Sequence, residues 1–167
     1  MKQMTEANLK AAFAGESQAH IKYLAFADKA EKEGFPEIAR LFKAIAYAEQ
    51  IHAIGHLRVL GGIGSTAANL TEAIAGENYE VTEMYPAFDA VAKLQEEKKA
   101  IRSIRYALET EKIHEEMYGQ AHESVTAGKD IESAPVYVCP VCGHTAIGEA
   151  PDKCPICGLP KEKYQEF

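Results

Sequence analysis

The chain has 167 residues, of which 47% are hydrophobic and 26% are charged, and its formal net charge is −7. This balance is typical of a globular protein and argues against disorder, collagen and a basic nucleic-acid-binding protein that neutralises phosphates. No apolar stretch has the length that a bilayer requires, and the N-terminus lacks the apolar run of a signal peptide. We therefore expect a cytoplasmic protein that binds neither nucleic acid nor a membrane.

The first part of the chain is rich in helix-forming residues, and turn-forming residues mark where the helices end. Thr5 is predicted to cap a first helix that ends at Gly34. Pro36 begins a second helix that runs to about Leu60. A loop of sequence GGIGSTAAN follows, and it contains three candidate caps for the third helix: Ser65, Thr66 and Asn69.

The third helix is predicted to begin near Leu70, but neither glycine nor proline marks where it ends. An internal repeat locates this join. The sequence AGES at 14–17 recurs as AGEN at 75–78, and EQIH at 49–52 recurs as EKIH at 111–114. Because the first half is two helices with a break between them, the second half should break near Gln95. Two duplicated helical hairpins predict an all-α, ferritin-like four-helix bundle.

Composition changes near Gly128, where helix-forming residues give way to prolines and glycines. We therefore predict a helical domain over 1–128, a linker over 129–134 and a small loop-rich domain over 135–167.

Each half of the repeat contains a glutamate followed, on the next helix, by a Glu-x-x-His motif. The spacing of this motif places its two side chains on one helix face, one turn apart. Two such helices, with one glutamate from each of two others, form the ligand set of a di-iron or di-manganese bundle. A single motif is more often a solvated ion pair, so the prediction depends on the duplicated order. The predicted ligands are Glu16, Glu49, His52, Glu77, Glu111 and His114.

Three further side chains could belong to this site. Glu80 lies three residues after Glu77, but the matching residue of the first half is Ala19. Glu80 is therefore either a surface carboxylate or an additional ligand that makes the two metals inequivalent. Tyr23 and Tyr85 lie about two turns beyond the first glutamate of their halves, where each either packs in the core or hydrogen-bonds a ligand carboxylate.

All four cysteines lie in the C-terminal region, in two Cys-x-x-Cys-Gly motifs: Cys139, Cys142, Cys154 and Cys157. A secreted disulfide scaffold would distribute its cysteines along the chain, whereas this spacing indicates a metal site. Four thiolates bind either Zn²⁺ or a single iron, and the spacing does not distinguish them. Beside a di-iron bundle, a one-electron iron centre makes better chemical sense than a zinc ribbon.

Five segments together make the chain resemble the rubrerythrin family over nearly its whole length: AFAGESQAH, AYAEQIH, AGENYEVTEMYP, the second Glu-x-x-His and CPVCG…CPICG. The resemblance implies a ferritin-like bundle with two non-haem irons and a rubredoxin-like domain with one iron at the cysteines, where zinc is the alternative in recombinant protein. It also implies a peroxidase that reduces hydrogen peroxide to water. The electrons would come from NAD(P)H through rubredoxin or an NAD(P)H-dependent reductase.

The resemblance also implies a role for each residue. Glu49 and Glu111 would bridge the irons, Glu16 and His52 would complete one iron, and Glu77 and His114 would complete the other. Glu80 would exchange with His52 as the irons change oxidation state, and Tyr23 and Tyr85 would support the ligands. These last four residues are the predicted catalytic residues.

Two other classes of protein stay open. A ferritin-like ferroxidase or iron store shares the bundle but does not explain the cysteine module. A structural zinc-ribbon interaction protein would hold zinc at the cysteines and no metal in the bundle. Assembly size and metal content distinguish these classes from the peroxidase.

The connection between the second and third helices predicts how the chain assembles. In ferritin-like bundles these helices run parallel, so their connection must cross the bundle. A helix from Pro36 to Leu60 spans roughly 37 Å, whereas residues 61–68 reach at most about 29 Å. We therefore predict a domain-swapped homodimer, or a higher homo-oligomer, in which helices one and two of one chain pack with helices three and four of another.

Overall fold

The computed structural model describes residues 1–167, and the chain falls into two units, Met1–Gly64 and Ser65–Phe167. As predicted, the chain is mostly helical, with four helical rods, the third of which contains a π-helical turn, followed by a small sheet-and-loop domain that carries the cysteines. None of its helices combines the length and the apolar character that crossing a membrane requires.

The first unit is a hairpin of two long helices, α1 (Gln3–Lys32) and α2 (Pro36–Val59). The turn between them contains Gly34, whose φ of 83° is a left-handed conformation that favours glycine. The predicted start of α2 is confirmed, but the predicted cap of α1 at Thr5 is wrong. Lys2 is the cap instead, three residues earlier, because the N–H of Glu6 finds a helical acceptor in the carbonyl of Lys2.

Small side chains form the contact between α1 and α2. The buried residues of this unit are all alanines: Ala27, Ala30, Ala39, Ala46 and Ala53. The three in α2 are seven residues apart, which keeps them on one face of the helix. Alanine has only a methyl group, so the two backbones approach closely enough for His20 Nδ1 to lie 2.8 Å from the carbonyl oxygen of Ala46.

The second unit begins with a helical rod in three parts: α3 (Thr66–Tyr79), a π-helical turn (Glu80–Met84) and α4 (Tyr85–Leu94). The Ser65 hydroxyl accepts a hydrogen bond from the N–H of Ala68 and caps α3. The helix therefore starts four residues before the predicted Leu70.

The break predicted near Gln95 is confirmed, because α4 ends at Leu94 and α5 (Lys98–Thr126) follows. Helix α5 packs against each part of the rod. The second unit thus repeats the hairpin design of the first.

The cysteine module folds around a three-stranded antiparallel sheet of β1 (Val136–Val138), β2 (Thr145–Ile147) and β3 (Gln165–Glu166), in the order β2-β1-β3. Each Cys-x-x-Cys motif forms a tight turn closed by a backbone hydrogen bond, from Gly143 to Cys139 and from Gly158 to Cys154. Both glycines have positive φ, 83° and 79°, which explains the residue that follows each motif.

Candidate metal centres

The first hairpin gathers Glu16 from α1 with Glu49 and His52 from α2. One ligand atom from each of these side chains can be chosen so that all lie within 4.8 Å of one another. The Glu16 and Glu49 carboxyl groups share a hydrogen bond, which together with burial and the charge of Glu49 raises the pKa of Glu16. Two carboxylates held this close favour either a shared proton or a bound cation.

The second hairpin gathers the equivalent side chains, Glu77 from α3 with Glu111 and His114 from α5, again within 4.8 Å. His114 Nδ1 lies 2.7 Å from Glu111 Oε2. Burial, followed by the charge of Glu111, raises the pKa of Glu77 to about 7. Each hairpin thus holds one glutamate and one Glu-x-x-His pair of the predicted ligand set.

Hydrogen bonding at His114 identifies which ring nitrogen faces the carboxylates. Thr145 donates its hydroxyl hydrogen to the carbonyl of Gly143 at 3.0 Å, and Thr145 Oγ1 lies 2.9 Å from His114 Nε2. The oxygen of Thr145 therefore accepts from Nε2–H, and Nδ1 carries a lone pair in the neutral ring. A lone pair 2.7 Å from a carboxylate oxygen requires a proton or a cation nearby, so this donor set fits a metal.

The π-helical turn explains why Glu80 has no counterpart. Glu16 and Tyr23 are seven residues apart, but Glu77 and Tyr85 are eight apart. The wider turn accommodates the extra residue. The residues before and after it therefore keep the helix faces that their counterparts have in the first hairpin. Burial, then the charge of Glu111, raises the pKa of Glu80, which indicates that its carboxyl group lies near the second triad.

The two tyrosines have different surroundings. Burial and the charges of three carboxylates, those of Glu80, Glu111 and Glu77, raise the pKa of Tyr85. The ring of Tyr23 instead packs against Phe26 and Phe42, with centroids 6.2 Å and 6.1 Å apart. Both tyrosines make aromatic contacts, Tyr85 with Phe88 at 6.4 Å, but Tyr85 also lies beside the carboxylates.

The four cysteines converge on one point with all sulfurs within 4.8 Å of one another and none in a disulfide. Cys139 and Cys157 have sulfurs 3.5 Å apart, and Cys142 and Cys154 have sulfurs 3.4 Å apart. A tetrahedral site with metal–sulfur bonds of ~2.3 Å has edges of ~3.8 Å, so the cluster fits one metal ion.

The thiols are not equivalent without that ion. Burial raises the pKa of Cys142 far above its usual range. Burial also raises the pKa of Cys154, but hydrogen bonds from the Tyr164 hydroxyl and the backbone of Cys157 and Ile156 outweigh it and lower this pKa to about 6. Cys142 and Cys154 therefore differ strongly in acidity.

The cysteine module packs on α5 beside the second triad. Tyr106 contacts the buried cysteines, and a Cβ at Gly143 would lie 3.7 Å from the Thr110 hydroxyl. The Thr145–His114 hydrogen bond crosses the same contact. Sequence reasoning missed Thr145, His144 and Tyr164, since a hydroxyl or ring beside a metal ligand leaves no spacing signal in the chain.

Comparison with known proteins agrees with this geometry. The family model for rubrerythrin matches residues 7–122, and the model for the rubrerythrin rubredoxin-like domain matches residues 137–165. Rubrerythrin-2 of Clostridium acetobutylicum is 46% identical over 98% of this chain and 97% of that protein. Nigerythrin of Nitratidesulfovibrio vulgaris is 39% identical over 96% of this chain and 85% of that protein.

The fold comparison gives the same result. A solved structure of nigerythrin in its fully reduced, all-ferrous state superposes with a TM-score of 0.59 and 36% identity, over 98% of this chain and 86% of that chain. The chain belongs to the rubrerythrin family, and it has both the glutamate–histidine di-iron site and the four-cysteine rubredoxin-like site of that family.

Proposed function

We propose that the protein is a peroxidase that reduces hydrogen peroxide to water with two electrons and two protons. The observation that carries this proposal is the Thr145–His114 hydrogen bond, which joins the cysteine module to a glutamate–histidine triad. An iron store needs no such link to an electron-transfer module. The link therefore favours redox turnover over ferritin-like storage.

The two triads together provide the ligands for the iron pair. Glu16 and His52 would hold one iron, Glu77 and His114 the other, and Glu49 and Glu111 would bridge them. When bound, the iron pair supplies Lewis acidity and one electron from each ferrous ion. Carboxylate and imidazole donors suit iron, and several carboxylates balance the charge of two cations.

The second hairpin contributes a hydrogen-bond donor beside the carboxylates. Reduction of hydrogen peroxide to two waters consumes two protons, which solvent supplies. The Tyr85 hydroxyl is protonated at neutral pH, and burial and the neighbouring carboxylates raise its pKa further. It can therefore donate a hydrogen bond to an oxygen atom beside Glu77 or Glu80 and keep its own proton.

The electron route follows the covalent and hydrogen-bonded path from Cys142 to His114. Gly143 follows Cys142 directly, its carbonyl accepts from Thr145, and Thr145 accepts from His114 Nε2. A reductase that uses NAD(P)H, directly or through rubredoxin, would reduce the cysteine iron.

We place the reaction in the cytoplasm, where thiols stay reduced and free to bind metal.

A ligand exchange would accompany turnover at the other iron. The side chain of His52 lies 3.5 Å from its Glu49 partner and is 57% exposed in the single chain, where no second hairpin covers it. Glu80 would bind this iron in the oxidised state and His52 would bind it in the reduced state, because carboxylates prefer the harder ferric ion. Crystal structures at both redox states test this: equal distances of both residues to the metal in the two states would exclude the exchange.

The function is tested by peroxide turnover of iron-loaded protein under anaerobic conditions. We expect turnover in the wild type and its loss in Glu111→Ala and Glu80→Ala. Glu116→Ala, on the exposed face of α5, is the matched control and should keep full turnover. Full turnover in both site variants would refute the assignment. A shell of many subunits that retains iron would instead favour storage.

We also propose a domain-swapped dimer. Helix α2 has 24 residues and spans about 36 Å. The connection before α3 consists of residues 60–65 and reaches at most about 22 Å when extended. Large apolar side chains of the first hairpin are also exposed in the single chain, Ile51 at 54% and Ile21 at 63%. A second hairpin from another chain would cover them and complete the metal pair.

Complementation between inactive variants tests the swap. If each site combines hairpins from two chains, a mixed dimer of Glu16→Ala and Glu111→Ala chains has one site with both changes and one intact site. Co-expression should then restore about a quarter of wild-type turnover, because half of the randomly paired dimers are mixed. Glu16→Ala paired with Glu49→Ala is the control and should restore none. No recovery in the first pairing would show that each site forms within one chain.

A further inference from the structure

The four-cysteine site contacts a hydroxyl group that the peroxidase proposal does not use. Tyr164 lies directly after the short 3-10 turn and packs on the buried cysteine cluster. Cys154 belongs to this cluster, and the Tyr164 hydroxyl lowers the pKa of its thiol. The same oxygen lies 2.9 Å from Nδ1 of His144, and the two rings meet edge to face at 5.9 Å.

The direction of these hydrogen bonds follows from the groups involved. A metal-bound thiolate carries no proton, so it can only accept, and the Tyr164 hydroxyl must donate to it. The phenol oxygen then accepts from His144, whose Nδ1 carries the hydrogen of the neutral ring. His144 is only 8% exposed, so its ring is held against Tyr164 and away from solvent. The result is a chain of donors from His144 through Tyr164 to the sulfur of Cys154.

The tight turn formed by the Cys-x-x-Cys motif does not require this histidine. The repeat that contains Cys142-Gly143-His144 has the counterpart Cys157-Gly158-Leu159. Both glycines take the same left-handed conformation, although the next residue is polar in one repeat and apolar in the other. Of these two residues, only His144 forms a hydrogen bond with a hydroxyl group, that of Tyr164. The histidine therefore has a role other than the turn.

We propose that Tyr164, which packs on the cysteine cluster, donates a hydrogen bond to the metal-bound sulfur of Cys154 and so sets the reduction potential of the cysteine iron, and that His144 is a positioning residue that orients the Tyr164 hydroxyl. The ferrous tetrathiolate site carries one more negative charge than the ferric site. A hydrogen-bond donor at a sulfur stabilises the more negative state more strongly, and this raises the potential. The effect makes the cysteine iron easier for its electron donor to reduce. It depends on iron at the cysteines but not on the peroxide chemistry.

Redox titration of the iron-loaded full chain tests the proposal, with the visible absorption of the ferric tetrathiolate as the readout. Tyr164→Phe keeps the ring but removes the hydroxyl. We expect the ferric–ferrous equilibrium to shift about tenfold toward the ferric form, equivalent to about 59 mV for one electron. Tyr137→Phe is the matched control, since the Tyr137 hydroxyl bonds Glu166 rather than a cysteine. A Tyr164→Phe shift no larger than that of the control, or toward the ferrous form, overturns the proposal.

The role of His144 is tested by a double-mutant cycle. His144→Leu copies the residue of the second repeat and should lower the potential by less than Tyr164→Phe. In the Tyr164→Phe background it should have no further effect, because no hydroxyl remains to be oriented. An equal shift in both backgrounds would show that His144 acts on the iron independently.

A third variant keeps the test informative if Tyr164→Phe binds no iron. A fluorinated tyrosine at position 164 is more acidic and donates more strongly to the thiolate. It should therefore raise the potential, and an unchanged or lowered potential would contradict the proposal. Because every readout is a potential, a chain with no peroxidase activity would still give a result.

Discussion

The two helical hairpins have the same ligand triad but hold it differently. The side chain of His52 in the first hairpin is 57% exposed, whereas that of His114 in the second is 26% exposed. His114 is also 2.7 Å from its glutamate and is bonded to Thr145. The duplicated sequence thus gives one histidine that Thr145 holds within its own chain and one that a second chain would cover in the proposed dimer. We therefore expect His114 to be the more permanent metal ligand of the two.

Removing each histidine in turn should show the largest difference between the two hairpins. We expect His114→Ala to reduce peroxide turnover by more than about 100-fold, beyond the loss seen when a ligand's supporting partner is removed. His52→Ala should cost about tenfold, because Glu80 can take its place on the iron. Iron content per chain, measured beside turnover, separates lost metal from lost chemistry. Equal losses in both variants would mean that the hairpins are equivalent.

A substitution at Thr145 should have a smaller effect, and this effect should be confined to the second hairpin. Thr145→Val keeps the side-chain shape but removes the hydroxyl, so His114 loses its fixed tautomer. The affinity of the second triad for Co²⁺ should fall roughly tenfold, as measured by calorimetry. Thr145→Ser should restore it, and Thr126→Val, at the exposed end of α5, should leave it unchanged. A normal affinity in Thr145→Val would show that the hydroxyl does not orient the ligand.

The smallest expected effect is the pH dependence of the metal-free protein. Folding raises the pKa of Glu77 from 4.5 to about 7, so the folded state binds more protons between these values. The resulting stabilisation is fully present below pH 4.5 and is lost as the pH rises through 7. Between pH 7.5 and 5.5 the melting temperature in chelator should rise by on the order of a few degrees.

Two variants test the source of this pH dependence. Glu77→Gln should remove most of it, because the amide does not titrate. Glu83→Gln is the control, since Glu83 is exposed on the π-helical turn and should keep the wild-type profile. If the Glu77→Gln profile matches the wild type, another group carries the effect.

Periodicity and repetition predicted much of the fold. The repeat located the break near Gln95, which no glycine or proline marks, because two copies of one design must turn at matching places. It also placed the glutamates and histidines in two groups, and the structure gathers each group into a triad within its own hairpin. The domain boundaries at 128 and 135 depend on composition and stay predictions, as do the roles of the individual ligands.

The remaining features depend on tertiary contacts or on small differences in backbone energy. The π-helical turn had one available signal, the spacing of eight rather than seven between Glu77 and Tyr85. The early start of α1 follows from a backbone hydrogen bond that outweighs the cap preference of Thr5. Tyr164 touches the cysteines only once the module has folded, and Thr145 reaches His114 only once the module has packed against α5.

The alanine contact between α1 and α2 has a consequence for synthesis on the ribosome. Neighbouring helices with a short turn make mostly local contacts, and such hairpins form within milliseconds. The remaining residues, Ser65–Phe167, take on the order of 5–20 s to translate at ~5–20 residues per second. We therefore expect the first hairpin to be complete, with its apolar face uncovered, for seconds before its own chain supplies a second hairpin. A neighbouring nascent chain on the same messenger RNA can offer one sooner, so polysome density should influence how the chains pair.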